Sequence, residues 1–283
     1  MLSKLPNLRY GTQQSNLSRL NRWIRPRWGT SCLEEIKPVA VEEWLRSLSL
    51  APKSKVHLRS MLHLIYQSGR RWQLIDNNPI DLVRQRGGRQ SIPRVLNLEG
   101  IRLLLEKLVE PYRTMVLIAS CLGLRSSEIM GLQWGDFDWE DLTLWVKRSV
   151  VQGRVGETKT EASRFPLPVD PHLKDALQEL RKRALRAGSQ DWVFANDAGR
   201  PRSQQAILQR HLRPAALQAG IGKIGWHTFR HSYSRMLRSA RVDIKVQQEL
   251  LRHSTIQSTI NTYTQAVAEE KRAANRLVVD ILC

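Results

Sequence analysis

His227-Thr-Phe-Arg-His231 opens a predicted helix that continues through Tyr233, Met236 and Leu237. His227 and Arg230 stand three residues apart, so both side chains share one face of the first turn. Backbone amides there lack intrahelical partners and favour anions. His227 and His231 also have the spacing of a metal pair. A zincin site needs a glutamate directly after the first histidine and a third ligand, and position 228 is threonine, so no metal set is expected. His231 reads instead as a packed, hydrogen-bonded structural histidine.

Three further segments in the second half of the chain carry chemistry-bearing residues. In Gly123-Leu-Arg-Ser-Ser-Glu-Ile129 an apolar helix stops at Gly123, Arg125 follows in the turn, and Ser126 or Ser127 is expected to cap the next helix. Arg125 in that position presents a planar fork suited to phosphate, with Glu128 able to orient it. Lys159, in Thr158-Lys-Thr160, stands at the turn or return strand of a predicted sheet. The fourth segment, Leu250-Leu-Arg-His-Ser-Thr-Ile256, leads through Thr259 to Tyr263. Ser254 or Thr255 can cap a short helix there, with Ile256 and Ile260 packed inward and Tyr263 near its end.

Working outward, the first ninety residues read as helices over Thr12 to Trp28, Pro38 to Leu48 and Ser54 to Gly69, closed by a short segment at Asn78 and Pro79. The stretch from Arg84 to Arg94 combines two glycines, a proline and four arginines, the composition of a flexible basic linker. The boundaries expected are therefore a helical domain over 1–84, a linker over 85–96 and a second domain over 97–283. In that second domain Asn97 can cap a helix from Leu98 to Val109, and a strongly apolar helix runs from Pro111 to Leu122. Leu142, Leu144 and Val146 alternate, Gly153 and Gly156 follow, and then Phe165 and Leu167. Together they predict a small antiparallel sheet between Trp139 and Leu167. Helices return from Pro171, and the tail from Ala266 to Cys283 reads as one more, so the fold class is mainly α with a small sheet.

The 283 residues carry 45 Lys plus Arg against 26 Asp plus Glu, a formal charge of +19. Before residue 90 the count is 16 basic against 6 acidic, and after it 29 against 20. Both parts are basic well beyond what solubility needs, so a polyanion, with nucleic acid foremost, is the expected partner of each. Lys53, Lys55 and Arg59 in the helical module, and Arg200 and Arg202 in the second, are the candidates for backbone phosphate contacts. Cys32, Cys121 and Cys283 are odd in number and far apart, which excludes a disulfide framework and a paired-ligand zinc module. The longest apolar run, Met115 to Leu124, is too short to span a bilayer, so no membrane partner is expected and a cytoplasmic, nucleoid-associated location is.

Taken in order, these motifs resemble those of the tyrosine recombinase, or phage integrase, family, and the resemblance covers essentially the whole chain. It implies a catalytic set of Arg125, Lys159, His227 and Arg230 spaced H-x-x-R, His253, and Tyr263 as nucleophile. It further implies a two-domain clamp on double-stranded DNA, with an amino-terminal core-binding domain opposite a carboxy-terminal catalytic domain, no cofactor, and self-association as a tetramer on paired sites. The implied reaction is strand cleavage and rejoining through a 3′-phosphotyrosyl link, without metal or ATP. One departure stands out: where the family reads leucine, glycine, histidine, this chain has Leu251, Arg252, His253. If that position needs a positive φ, the side chain costs roughly 1 kcal/mol and threatens the placement of His253. Type IB topoisomerase-like relaxation and a catalytically silent DNA-binding protein of the same fold are the alternatives.

Overall fold

The computed structural model describes residues 10–88, 93–157, 165–262 and Arg276, and the chain divides into two compact units, Met1–Ile92 and Pro93–Cys283. In the first unit α1 (Tyr10–Arg19) passes through a π turn, Leu20–Ile24, into α2 (Arg25–Trp28), and α3 (Pro38–Ser47) and α4 (Pro52–Arg71) follow. Proline begins both α3 and α4, where its missing N–H is not required and its fixed φ suits a helix. For that reason α4 starts at Pro52, ahead of the predicted Ser54. Val41, Trp44 and Leu45 of α3 share one core with Leu58, Met61, Leu62 and Tyr66 of α4. Trp28 stands edge-on to Trp44 with ring centroids 5.8 Å apart, and the Tyr66 hydroxyl donates to the Leu33 carbonyl at 2.8 Å.

In the second unit Asn97 accepts a hydrogen bond from the Gly100 amide at 2.9 Å and starts α5 (Leu98–Glu106), the cap its side chain predicts. This helix ends at Glu106 with Lys107 as its cap, short of the predicted Val109. The most buried helix is α6 (Tyr112–Cys121), which carries Met115, Val116, Ile118 and Ala119 into the core. After it come α7 (Ser126–Ile129), α8 (Pro171–Arg183), α9 (Gln204–Ile207), α10 (Arg213–Gln218), α11 (Trp226–Ser239), α12 (Ile244–Leu251) and α13 (Ile256–Thr262). Helix α6 packs on α5, α8 and α11, and the Leu96 amide donates to the Ser232 hydroxyl of α11 at 2.7 Å.

The predicted sheet resolves into two. Strands β1 (Phe137–Asp138) and β2 (Thr143–Leu144) pair antiparallel, β3 (Arg148–Val151) and β4 (Arg154–Glu157) form a hairpin, and β5 (Leu167–Pro168) joins β2. Leu144 lies opposite both Phe137 and Leu167, which fixes the register on the core face. Leu142 belongs to a turn instead, at φ 50°. Gln152 and Gly153 both have positive φ, 52° and 76°, as a two-residue hairpin turn of matching twist requires. The Arg148 guanidinium grips the buried Asp136 carboxylate at 2.7 and 3.1 Å and so anchors the hairpin to the core. No helix among the described residues is long and apolar enough to cross a membrane.

Candidate active site

Three of the four sequence segments converge around one buried carboxylate. At the end of α6, Gly123 takes φ 59° and turns the chain toward Arg125. The Arg125 amide donates to Glu128 Oε2 at 2.8 Å and its guanidinium Nη1 to Oε1 at 2.9 Å, so Glu128 caps α7 and orients Arg125 at once. Neither Ser126 nor Ser127 is the cap. The Ser126 hydroxyl reaches instead to Gln204 Oε1 at 2.5 Å, while the Gln204 carbonyl accepts from the Trp226 indole at 2.8 Å. Through Gln204, α9 ties the start of α7 to the start of α11, a bridge that carries no local sequence signal.

Arg230 lies one turn into α11, only 5% exposed. Its Nη1 donates to the Gly123 carbonyl at 2.5 Å and its Nη2 to the Leu251 carbonyl, so it joins the ends of α6 and α12. Burial first, then the Arg125 charge, draws its pKa down to about 9 against the opposing pull of Glu128, and it stays cationic at neutral pH. His253 follows α12. Its amide donates to the Gln248 carbonyl at 3.0 Å, and its Nδ1 lies 2.9 Å from Thr259 Oγ1. Burial, reinforced by the charges of Arg230 and Arg125, pulls its imidazole down to about 4, so it is neutral at pH 7.

His227 occupies the first turn of α11, exposed, with its ring 6.1 Å from that of His231. His231 is half-buried, and burial, His227 and Arg230 lower its pKa. Its Nδ1 is buried with no hydrogen-bond partner among the described residues, so the bond expected of it is not seen at that atom. Thr255 caps α13 by accepting from the Ser258 amide at 3.3 Å. Ile256 and Ile260 are 43% and 40% exposed rather than packed inward, because α13 turns Thr259 to the interior to meet His253. Lys159, Tyr263 and the tail helix lie outside the described residues, Arg276 excepted.

Arg252 does take positive φ, 51°, at the end of α12. It does not displace His253, which Gln248 and Thr259 hold. The residue is fully buried, and Nη2 reaches Glu128 Oε2 at 2.5 Å. Desolvation works to raise the Glu128 pKa, yet the charges of Arg252 and Arg125 and the Arg125 amide outweigh it and hold the carboxyl below its ordinary value. Three guanidinium groups thus surround one carboxylate, an excess of positive charge in a desolvated place. Such a cluster is suited to an anion. Among the described residues no three His, Cys, Asp or Glu side chains gather as metal ligands.

Of the basic residues proposed for backbone contacts, Lys53 and Arg200 are exposed. Lys55 donates to the Arg46 carbonyl at 3.2 Å, and Arg202 to the Ala195 carbonyl at 2.8 Å. Arg59 spends two donors on the carbonyls of Val83 and Ile80, each at 2.8 Å, which holds the end of the first unit to α4.

Gly123 gives a stability test of this arrangement. A Cβ there would lie 2.5 Å from Tyr233 Cδ1, on a backbone already at φ 59°. Gly123→Ala is expected to destabilise the fold by at least about 1–2 kcal/mol from the left-handed backbone alone, with the clash added. An unchanged urea midpoint would show that this turn does not hold the site together.

The phage integrase family model matches residues 94–270. The tyrosine recombinase XerC-like protein of Caldanaerobacter subterraneus subsp. tengcongensis is 28% identical over 193 residues, 60% of this chain but only about half, 49%, of that protein. Tyrosine recombinase XerD of Chlorobaculum tepidum is 28% identical over 275 residues, covering 89% of this chain and 85% of the relative. In fold, the chain matches the integrase of transposon Tn1549, solved in complex with a circular intermediate DNA, with a TM-score of 0.80 and 20% identity over 96% of this chain and 95% of that one.

Proposed function

Because this chain belongs to the phage integrase family, we propose that it recombines DNA at specific sites by cutting and rejoining strands through a 3′-phosphotyrosyl link. The observation that carries this reading is the meeting of Arg125, Arg230 and His253, drawn from three distant segments, at one buried cationic cluster. Two guanidinium forks there suit the non-bridging oxygens of a phosphodiester and stabilise the charge that builds as phosphorus becomes five-coordinate. In the tautomer with its proton on Nε2, which accepts at Nδ1 from Thr259 Oγ1 2.9 Å away, neutral His253 donates a hydrogen bond to the same phosphate. Tyr263 attacks phosphorus, and His227 assists by taking up the phenol proton. The phosphorus–tyrosyl oxygen bond forms, the bond to the 5′ oxygen breaks, and Lys159 supplies the proton the leaving oxygen takes up.

The link conserves the bond energy, so a second strand's 5′ hydroxyl can displace the tyrosine without ATP, and no step requires a metal. Exchange of both strands between two duplexes makes four such cleavages. One nucleophile per chain therefore calls for four protomers on paired sites. The test against topoisomerase-like relaxation is a supercoiled plasmid carrying two sites enriched by this protein from random duplexes. Recombinant circles are expected, whereas relaxation alone would favour the topoisomerase reading.

Lys53 and Arg200 are the exposed residues assigned here to backbone phosphates. With both units basic, log affinity should fall on log salt with a slope steeper than about −4, since each neutralised phosphate contributes about −0.9. A slope near zero in a salt titration of duplex binding would contradict contact by both.

A further inference from the structure

We propose that Arg252 is a positioning residue for strand cleavage, holding Glu128 and through it fixing the Arg125 guanidinium against the scissile phosphate. The proposal rests on the reading above, that Arg125 binds phosphate. Its first support is backbone. The left-handed conformation of Arg252, φ 51° and ψ 48°, is the one glycine adopts most readily at a helix end. A long side chain placed there goes against the local preference and requires a compensating contact.

That contact is Glu128, 124 residues away in sequence. Arg252 and Glu128 are both 1% exposed at the side chain. Arg252 Nη2 and the Arg125 amide share Glu128 Oε2, and the Arg125 guanidinium takes Oε1. Glu128 is thus pinned from two sides, and any movement of it moves Arg125. The pair is also poorly made for stability alone. Arg252 Nε and Nη1 are buried with no hydrogen-bond partner among the described residues, and a buried ion pair with unsatisfied donors is commonly no better than an apolar pair of the same volume. What the arrangement supplies is a fixed carboxylate, which leaves Arg125 one orientation and keeps the site strongly cationic.

The experiment compares wild type with Arg252→Gly, Arg252→Lys and Arg252→Met on nicked duplexes enriched by the wild-type protein from a random pool. It reads duplex affinity and the single-turnover rate of covalent adduct formation at saturating DNA. Arg252→Gly relieves the backbone but strips the buried Glu128 of one partner, so a merely structural arginine predicts a shifted melting temperature with an unchanged rate. The positioning role predicts instead a rate at least about 30-fold lower with affinity within about threefold, and Arg252→Lys recovering most of the loss. In a Glu128→Gln background, Arg252→Gly should change the rate by less than about threefold, because the path through Glu128 is already cut. Arg252→Met, which keeps the buried volume and removes the charge, decides the matter if the glycine variant does not fold. Wild-type rates in Arg252→Gly or Arg252→Met, or a full further loss in the Glu128→Gln background, would overturn the proposal. A wild-type protein that forms no adduct on any duplex would defeat the functional reading itself, and this proposal with it.

Discussion

Arg230→Ala is expected to slow strand cleavage by at least about 10³-fold and to destabilise the fold as well. Removing a single preorganised donor to a developing oxyanion costs about 10²–10³ in rate, and a guanidinium offers more than one. The stability loss has a separate origin. Arg230 is buried and donates to the carbonyls of Gly123 and Leu251; truncation strands both, at about 1–3 kcal/mol for each buried group left unpaired. Arg230→Lys keeps the charge and loses the planar fork, so it should fall between alanine and wild type in rate while retaining most of the stability. Single-turnover cleavage and urea unfolding of both variants separate the two effects. An alanine variant that folds and cleaves at the wild-type rate would mean that the phosphate is held elsewhere.

The largest effect belongs to Tyr263→Phe, which removes one oxygen and almost no packing surface. Adduct formation should fall by at least about 10⁴-fold, as when the nucleophile of a catalytic group is deleted, while duplex affinity stays within about twofold. Tyr233 provides the contrast. Its ring lies so close to Gly123 that a Cβ there would come within 2.5 Å of it, a structural position on α11. Tyr233→Phe should therefore cleave normally, and the pair of variants distinguishes the nucleophile from the nearest other tyrosine of the motif segments.

Local physics made much of the fold legible in the sequence. Asn97 announces α5, Asn78 with Pro79 announces the closing turn of the first unit, and the prolines at 38 and 171 stand at helix starts because nothing but neighbouring residues decides those features. The Arg125–Glu128 contact was readable for the same reason, since three residues on a helical turn bring the two side chains together. What escaped depends on tertiary packing. Ile256 and Ile260 look like a buried stripe, but Thr259 wins the interior by bonding His253. Ser126 looks like a cap, but Glu128 takes that task and Gln204 takes the serine. Arg252 read as a flaw in a turn; its partner is 124 residues away, and no local pattern points to it.

The central claim, that the chain cuts DNA by forming a phosphate ester with Tyr263, is tested most directly by locating the covalent link. A denaturant-resistant adduct formed on a nicked duplex would be digested with nuclease and trypsin, and the nucleotide-bearing peptide sequenced by mass spectrometry. The segment released between Arg252 and Lys271 contains Tyr263 as its one tyrosine. The account predicts a nucleotide joined through its 3′ phosphate to Tyr263 in that peptide. A link to any other residue, a 5′-joined nucleotide, or the absence of any adduct would contradict it.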